Sequence, residues 1–264
     1  MKITFYLYNA FVIEWDDKKI AIDPGALFAY YFSFASLIPK SEWPDISHIF
    51  VTHGDPDHYW HADRLAKASG APVILNESML KQVNGEKLFL GPRSKGLAFD
   101  TPFEKYHTLG VNESIEVDGM TISGLEAQHG PLKLQAGPFK KTLFPGPEER
   151  TGWGSIGYEI RYKKRTIVNL ADTKLLPNAW KHLQSPDVLM LPIGGRSVEN
   201  TMDEDEALQA VELIKPKVVI PMHYDCPMLF SRKGNPANDL RFKILVESMG
   251  IHCEILGKGE SLNL

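Results

Sequence analysis

One short stretch constrains the fold of this chain more than any other: residues 52–58, which read THGDPDH. It directly follows the apolar residues 49–51, a pattern that predicts a buried strand ending where the polar side chains begin. Two imidazoles and two carboxylates crowded into so short a loop would repel one another and lose hydration unless a cation drew them together. The sequence therefore predicts that a strand end presents this loop to a metal ion.

Three more side chains of the metal-ligating type follow other predicted strands, namely His129, Asp172 and His223. Each alone is more often an ordinary polar residue, but their placement at well-spaced strand ends, together with the loop, favours ligation. Neutral imidazole and carboxylate groups suit divalent ions that keep an open coordination position. A hydroxide shared by two metal ions about 3.5 Å apart is a nucleophile at neutral pH. The pattern is thus typical of a hydrolytic site with two metal ions.

The composition is that of an ordinary globular protein, with 264 residues, 43% hydrophobic and 23% charged, and a formal net charge of -4. Lysine and arginine are scattered rather than striped, so we expect no binding to nucleic acids. Two cysteines, Cys226 and Cys253, are too few for a disulfide framework. The most apolar window, residues 26–39, is shorter than the roughly 20 residues of a membrane-spanning helix. We expect a soluble protein of the cytoplasm.

The order of predicted elements indicates a single domain over residues 1–264, built from two pseudo-repeated halves. Each half begins with strands, continues with helices and places ligand candidates just beyond strand ends. Residues 59–68 are predicted to form the helix after the ligand loop, ended by Gly70. Residues 130–154 are rich in glycine and proline and predict a long irregular loop with a functional role.

An aromatic segment, residues 27–34, leaves two interpretations open. In the first it forms an apolar wall over the metal site and favours a lipophilic or aromatic substrate. In the second it is a dimer contact or extra core, which we favour because exposed aromatic patches more often mark protein contacts than substrate pockets. A homo-oligomer is one consequence of the second interpretation.

Several short motifs occur in a distinctive order and spacing, although each is weak alone. They are Asp23-Pro24, the loop from His53 to His58, Gln128-His129-Gly130, Ala171-Asp172-Thr173, the MLPIGG of residues 190–195, Thr201-Met202, Pro221-Met222-His223-Tyr224 and Gly259-Glu260-Ser261. In this order they resemble the metallo-β-lactamase fold superfamily and, within it, the UlaG-like group of metal-dependent hydrolases. The resemblance implies an α/β (α+β) fold, a four-layered αβ/βα sandwich of the metallo-β-lactamase type.

The family loop reads HxHxDH, and the resemblance implies which side chains hold each of two ions. The first ion would be held by His53, Asp55 and His129, and the second by Asp57, His58 and His223, with Asp172 bridging both. Asp57 would also be the catalytic residue that orients the attacking hydroxide and handles protons. The implied cofactors are two divalent metal ions, Zn²⁺ or Mn²⁺, with iron as an alternative.

Asp55 departs from the family pattern, which has histidine at that position. A carboxylate adds negative charge and a harder oxygen donor, which favours Mn²⁺ or iron over Zn²⁺ at the first position. It also gives a loose resemblance to the flavodiiron enzymes of the superfamily, which carry a carboxylate there and reduce oxygen or nitric oxide. Two alternatives to a hydrolase therefore stay open: a di-iron redox enzyme, and a single-metal or non-catalytic protein.

The predicted function is hydrolysis of an ester, lactone, amide or phosphodiester in a small-molecule substrate. Three side chains are candidates for substrate contacts. Arg196 follows a strand end and would hold an anionic group, although a surface salt bridge is equally consistent with its position. Tyr224 would orient His223 or touch substrate, and Trp153 lies in the long loop, where the alternative is a solvated lid.

Overall fold

The structure, a computed structural model, describes residues 1–27, 35–83, 86–89, 99–100, 103–136, 139–150, 152–227 and 233–264. Apart from Leu27, the predicted aromatic segment 27–34 lies outside the described residues. The chain divides into two compact units. The first unit comprises Met1–Gly110, Arg150–Gly154 and Leu256–Leu264, and the second comprises Val111–Glu149 and Ser155–Ile255. The single-domain organisation stays a prediction.

Strands and short helices alternate along both units. Up to Gly110 the elements are β1 (Lys2–Phe5), β2 (Phe11–Trp15), β3 (Lys18–Ile22), β4 (His48–Val51), α1 (Pro56–Tyr59), α2 (Ala62–Ser69), β5 (Val73–Asn76), β6 (Leu80–Val83), β7 (Glu86–Phe89), β8 (Phe99–Asp100) and β9 (Tyr106–Leu109). They continue with β10 (Ser114–Val117), β11 (Met120–Leu125), β12 (Leu132–Ala136), β13 (Phe139–Phe144), β14 (Gly157–Tyr162), β15 (Arg165–Asn169), β16 (Val188–Pro192), α3 (Glu204–Ile214), β17 (Val218–Met222), β18 (Cys226–Pro227), β19 (Lys233–Gly234), α4 (Asp239–Ser248), β20 (His252–Cys253) and β21 (Ser261–Asn263). Short 3-10 helices cover Lys40–Asp45, Glu77–Met79 and Pro147–Glu149.

The first unit is built on a seven-stranded mixed sheet with the order β21-β1-β2-β3-β4-β5-β9. Strands β21, β1, β2 and β3 pair antiparallel, whereas β3, β4, β5 and β9 pair parallel. Every residue of β4 and β5 is buried, as expected of parallel strands inside a sheet. The ligand loop thus leaves the carboxyl end of a fully buried strand.

The second unit contains another seven-stranded mixed sheet, with the order β10-β11-β14-β15-β16-β17-β20. Its first four strands pair antiparallel, and β15, β16, β17 and β20 pair parallel. A buried apolar cluster joins Leu191 of β16, Val211 of α3 and Phe242 of α4, together with Trp180. Because β15, β16 and β17 are parallel, their carboxyl ends reach the same edge of this sheet.

The helix predicted over residues 59–68 is two helices, α1 and α2, which corrects the sequence analysis. Helix α1 begins earlier because Pro56 occupies its first turn, where a missing N–H costs nothing. The N–H of His61 donates instead to the carbonyl of Pro24, 2.9 Å away, and interrupts the helix. Gly70 ends α2 in the left-handed conformation at φ 72°, as predicted.

The helices of the second unit begin with side-chain caps. Asp203 accepts hydrogen bonds from the N–H groups of Asp205 and Glu206, and the Glu206 carboxylate accepts from the Asp203 N–H, which makes a capping box for α3. Asn238 caps α4 by accepting from the Arg241 N–H. Among the described residues, no helix has both the length and the apolar character needed to cross a membrane.

Residues 130–154 were expected to be irregular, and this expectation is wrong in part. They include the antiparallel hairpin of β12 and β13 and a turn of 3-10 helix. The alternation of apolar and polar residues in LKLQA is a strand pattern, but glycine and proline on both sides obscure it. A hairpin therefore occupies much of the stretch, and Trp153 follows it in a tight turn.

Candidate metal centre

The loop after β4 brings the first group of predicted ligands together in the first unit. The backbone carbonyl of Asp55 accepts hydrogen bonds from the N–H groups of His58 and Tyr59, both at 2.9 Å, so the loop closes into helix α1. This turn places the imidazole rings of His53 and His58 with their centroids 4.0 Å apart, and both rings are fully buried. The side chains of Asp55 and Asp57 remain 20% and 19% exposed.

Each histidine of this loop turns one ring nitrogen toward a carboxylate of the same loop. His53 Nε2 lies 3.6 Å from Asp55 Oδ2, and His58 Nε2 lies 3.4 Å from Asp57 Oδ2. The chemical meaning of these contacts depends on which ring nitrogen carries the proton. The hydrogen bonds on the opposite side of each ring settle that question.

Asp23 sets the protonation of both rings, a role that the sequence analysis did not assign to it. Its buried Oδ2 accepts from His58 Nδ1 at 2.7 Å, so His58 carries its proton on Nδ1. The Thr52 hydroxyl donates to the same oxygen at 2.6 Å, so this hydroxyl must accept from His53 Nδ1, 2.9 Å away. In the neutral rings both Nε2 atoms are therefore left with lone pairs, the form in which histidine binds a metal.

Asp23 is an orienting residue rather than a ligand, although its carboxylate and the two imidazoles offer donor atoms within 4.8 Å of one another. Its carboxylate is already engaged, because Thr52 N–H and Asn9 Nδ2 also donate to it, both at 2.7 Å. Asp23 adopts a positive φ of 44°, which is strained for a residue other than glycine. Gly25, two residues later, is required, since a Cβ there would overlap the backbone carbonyl of Asp57.

The second unit brings together the other three predicted ligands. His129 lies beyond β11, Asp172 beyond β15 and His223 beyond β17, and these three strands belong to one sheet. Asp172 Oδ2 lies 2.8 Å from His223 Nε2 and 3.6 Å from His129 Nε2. Asp172 is fully buried, and the two histidines are almost so. One buried carboxylate oxygen thus faces both imidazoles.

Backbone conformation aims these side chains. His223 and Ala171 have positive φ values of 51° and 60°, and the Ala171 N–H is held by the side-chain oxygen of Asn169 at 2.8 Å. His129 Nδ1 donates to the carbonyl of Gly130 at 2.6 Å, which leaves the Nε2 lone pair of His129 toward Asp172. A lone pair facing a carboxylate oxygen at 3.6 Å is an arrangement that a cation stabilises. The donor set of each unit therefore fits a divalent metal ion.

Asp55 has a partner that the sequence did not indicate. Arg150 Nη2 donates to Asp55 Oδ1 at 2.6 Å, across 95 positions of the sequence. The guanidinium carbon of Arg150 also lies 3.9 Å from the centre of the Trp153 ring, and the Trp153 carbonyl accepts from the Gly54 N–H at 2.7 Å. Trp153, predicted as a substrate contact, is thus packed beside the ligand loop. Its contact with substrate stays a prediction.

The remaining substrate candidates have protein partners in the second unit. Arg196 pairs with Glu204 and Asp205, both at 2.9 Å, and the hydrogen bonds from Asp205 and Glu204 raise the pKa of its guanidinium. This is the salt bridge that the sequence left as the alternative. Burial, and then the nearby Asp239 to which its hydroxyl is hydrogen-bonded, raise the pKa of Tyr224. Substrate contacts of Arg196 and Tyr224 stay predictions.

Solved structures with a similar fold were found among metal enzymes. Igni18, a metallo hydrolase from the archaeon Ignicoccus hospitalis, aligns with a TM-score of 0.68 at 24% identity, over 99% of this chain and 97% of that chain. CmlA, a diiron β-hydroxylase from Streptomyces venezuelae, aligns with a TM-score of 0.67 at 13% identity, over 100% of this chain and 54% of that chain. At these identities the similarity shows the fold alone, and it confirms the predicted fold class.

Sequence comparisons establish the family. A family model described as the beta-lactamase superfamily domain matches residues 2–223, a range that contains all seven predicted ligands. The UPF0173 metal-dependent hydrolase of Methanopyrus kandleri is 30% identical over 266 residues, which is 99% of each chain. The UlaG-like assignment stays a prediction, whereas the expected superfamily and enzyme class are confirmed. The chain belongs to the beta-lactamase superfamily and, within it, to the UPF0173 metal-dependent hydrolases.

Proposed function

We propose that this chain hydrolyses a small-molecule substrate with the help of two divalent metal ions, Zn²⁺ or Mn²⁺. One ion would be held by His53, Asp55 and His129, the other by Asp57, His58 and His223, and Asp172 would serve both. The order of the motifs along the chain supports this division of ligands. So does membership of a family of metal-dependent hydrolases.

The observation that carries the proposal is the orientation of the imidazoles. His53, His58 and His129 each use Nδ1 as a hydrogen-bond donor to a protein acceptor, so in the neutral ring each Nε2 presents a lone pair. Each of these lone pairs faces a carboxylate oxygen 3.4 to 3.6 Å away. When the imidazole is neutral, neither partner of such a contact carries a proton to share, so the protein alone gains little from it. A divalent cation supplies the missing positive charge.

Metal ions bound to these residues would supply Lewis-acid activation of water and of the carbonyl or phosphoryl oxygen of the substrate. Asp57 is the carboxylate that we assign to proton handling, at its side-chain oxygens. It lies in the first turn of α1 and remains 19% exposed, whereas Asp23 and Asp172 are fully buried. Asp57 therefore combines a fixed backbone with access to solvent, as a group that orients water and accepts its proton must.

The bond class that we propose is an ester, lactone, amide or phosphodiester. Trp153 offers a flat, half-buried ring beside the ligand loop, which supports a contact with an apolar part of the substrate. A cytoplasmic location and a homo-oligomer belong to the same proposal. Fractionation of the native host and light scattering of the purified protein test these two points directly.

The function is tested by elemental mass spectrometry on protein purified without added metal, followed by hydrolysis assays on a panel of these four bond classes. We expect two equivalents of Zn or Mn and turnover of at least one class. Asp57→Asn should lower turnover by more than about 100-fold, because it removes a proton acceptor at the reaction. Glu14→Gln, an exposed carboxylate paired with Lys2, is the matched control and should leave turnover unchanged. Full turnover by Asp57→Asn would overturn the assigned mechanism.

Asp55 gives one reason to keep a second candidate function, di-iron redox chemistry, because a carboxylate at this position favours iron. In that case the purified protein would contain mainly iron and show a visible absorption band. One metal equivalent without turnover would instead support the single-metal alternative. Metal content therefore separates the three possibilities before any substrate is known.

A further inference from the structure

We propose that Arg150 and Asp55 act as one unit in which Arg150 positions the carboxylate and cancels its extra charge. The pair would stand in for the neutral histidine that the family motif has at position 55. This inference rests on the proposed binding of a divalent metal by Asp55. It adds a residue, Arg150, that no part of the ligand motif contains.

The two oxygens of Asp55 have separate surroundings. Oδ1 accepts the hydrogen bond from Arg150 Nη2 at 2.6 Å, a short bond between two charged groups. Oδ2 lies on the side of His53, 3.6 Å from its Nε2. Arg150 thereby fixes the rotation of the carboxylate, so that Oδ2 is the oxygen presented next to the His53 lone pair.

Arg150 is itself tied to the ligand loop. Its guanidinium is stacked on Trp153 at 3.9 Å, and its carbonyl accepts from the Trp153 N–H at 3.1 Å. The Trp153 carbonyl in turn accepts from the N–H of Gly54, the residue directly before Asp55. The Arg150 and Asp55 side chains are only 17% and 20% exposed, so solvent screens their interaction less than that of a surface pair.

The charge balance explains why both residues are needed. A carboxylate in place of a neutral imidazole adds one negative charge beside the metal position. The arginine guanidinium is permanently protonated and adds one positive charge. The sum over the pair is zero, the same as for the histidine of the family motif. Removing either residue takes an opposite charge away from the other in a mostly buried place.

A double-mutant cycle on zinc affinity tests this coupling without any need for a substrate. Chelator-treated wild type, Asp55→His, Arg150→Gln and the double variant are titrated with Zn²⁺ by calorimetry. Each single variant should bind one zinc equivalent about 10-fold more weakly, the loss typical of disturbed metal ligands and their hydrogen-bond partners. The double variant should recover affinity to within about threefold of wild type, because a neutral histidine no longer faces an unpaired guanidinium.

Arg161→Gln provides the control, since Arg161 forms a similar arginine–carboxylate pair with Glu159 at 2.7 Å in the second unit. It should change zinc affinity neither alone nor combined with Asp55→His. Should Asp55→His fail to fold by circular dichroism, Asp55→Asn replaces it in the cycle, with the same expected rescue by Arg150→Gln.

Two negative results are distinguishable. If wild type binds two equivalents of zinc but the losses simply add in the double variant, Arg150 is not coupled to Asp55 and this inference is wrong. If wild type binds no zinc, manganese or iron, the proposed function fails, and this inference falls with it.

Discussion

The two ligand groups are built in opposite ways. In the first unit, four candidate ligands lie within residues 53–58 and depend on side chains outside the loop, such as Asp23 and Arg150, for their orientation and charge balance. In the second unit, three candidate ligands follow three separate strands, and backbone conformation orients them. The first group is thus set by side-chain partners and the second by the fold itself. We therefore expect single substitutions to weaken metal binding by degrees in the first group and to abolish it in the second.

The largest expected effect is in the second group. Asp172→Asn removes a buried carboxylate that faces both His129 and His223. Because this ligand would serve both ions, we expect loss of more than one metal equivalent and a fall in turnover of over about 100-fold, beyond what outer hydrogen-bond partners cost. Metal analysis and circular dichroism on the same sample check this expectation. Two retained equivalents would show that Asp172 is not shared.

A smaller and graded effect is expected for Asp23→Asn in the first group. The amide cannot accept all four hydrogen bonds that Asp23 now accepts, so His58 loses its fixed proton position. Zinc affinity should fall about 10- to 100-fold. Asn9→Ala is the matched comparison, since it removes one donor to Asp23 but leaves the contact with His58, and it should cost less. Equal losses in the two variants would contradict the orienting role of Asp23.

The smallest expected effect is on stability at alkaline pH. The two units should differ in the pH at which their contribution to the free energy of unfolding begins to fall. Burial raises the pKa of the Cys253 thiol in the second unit from 9.0 to about 12, and burial and the neighbouring Glu42 raise the pKa of Tyr6 in the first unit from 10.0 to about 12. Both groups keep their protons longer when folded, so their contributions to stability are complete below the unfolded pKa and disappear as pH rises to about 12. The contribution of Cys253 should begin to fall about one pH unit earlier than that of Tyr6.

Urea denaturation of metal-free protein across this pH range measures the difference. Cys253→Ala should flatten the decline that begins near pH 9, and Tyr6→Phe should flatten the part that begins near pH 10. If the free energy of unfolding falls with pH in the same way for wild type and both variants, these two groups do not cause the decline and this difference between the units is wrong.

Local patterns account for what the sequence predicted well. The ligand loop was identified because its residues are adjacent, and the end of α2 because Gly70 readily adopts the left-handed conformation found there. Each of these features is decided within a few residues, so a pattern along the chain is sufficient to find it.

What the sequence did not predict depends on contacts between distant residues. Nothing near Asp55 indicates a partner at Arg150, and nothing near Asp23 indicates hydrogen bonds to His58, 35 positions away. The split between α1 and α2 likewise depends on the carbonyl of Pro24. Candidate ligands can therefore be named from the sequence, whereas the orientation of their side chains is decided by tertiary contacts.

Gly25 is needed because it has no Cβ atom. Its missing side chain lets the chain after Asp23 run directly against the backbone of Asp57. Position 25 thus keeps the chain after Asp23, which orients the histidines, in direct contact with helix α1, which carries His58. A methyl group at this position would push Asp23 and helix α1 apart without changing any hydrogen-bond donor or acceptor. A substitution at position 25 would therefore shift the loop while leaving in place every side chain that gives the loop its chemistry.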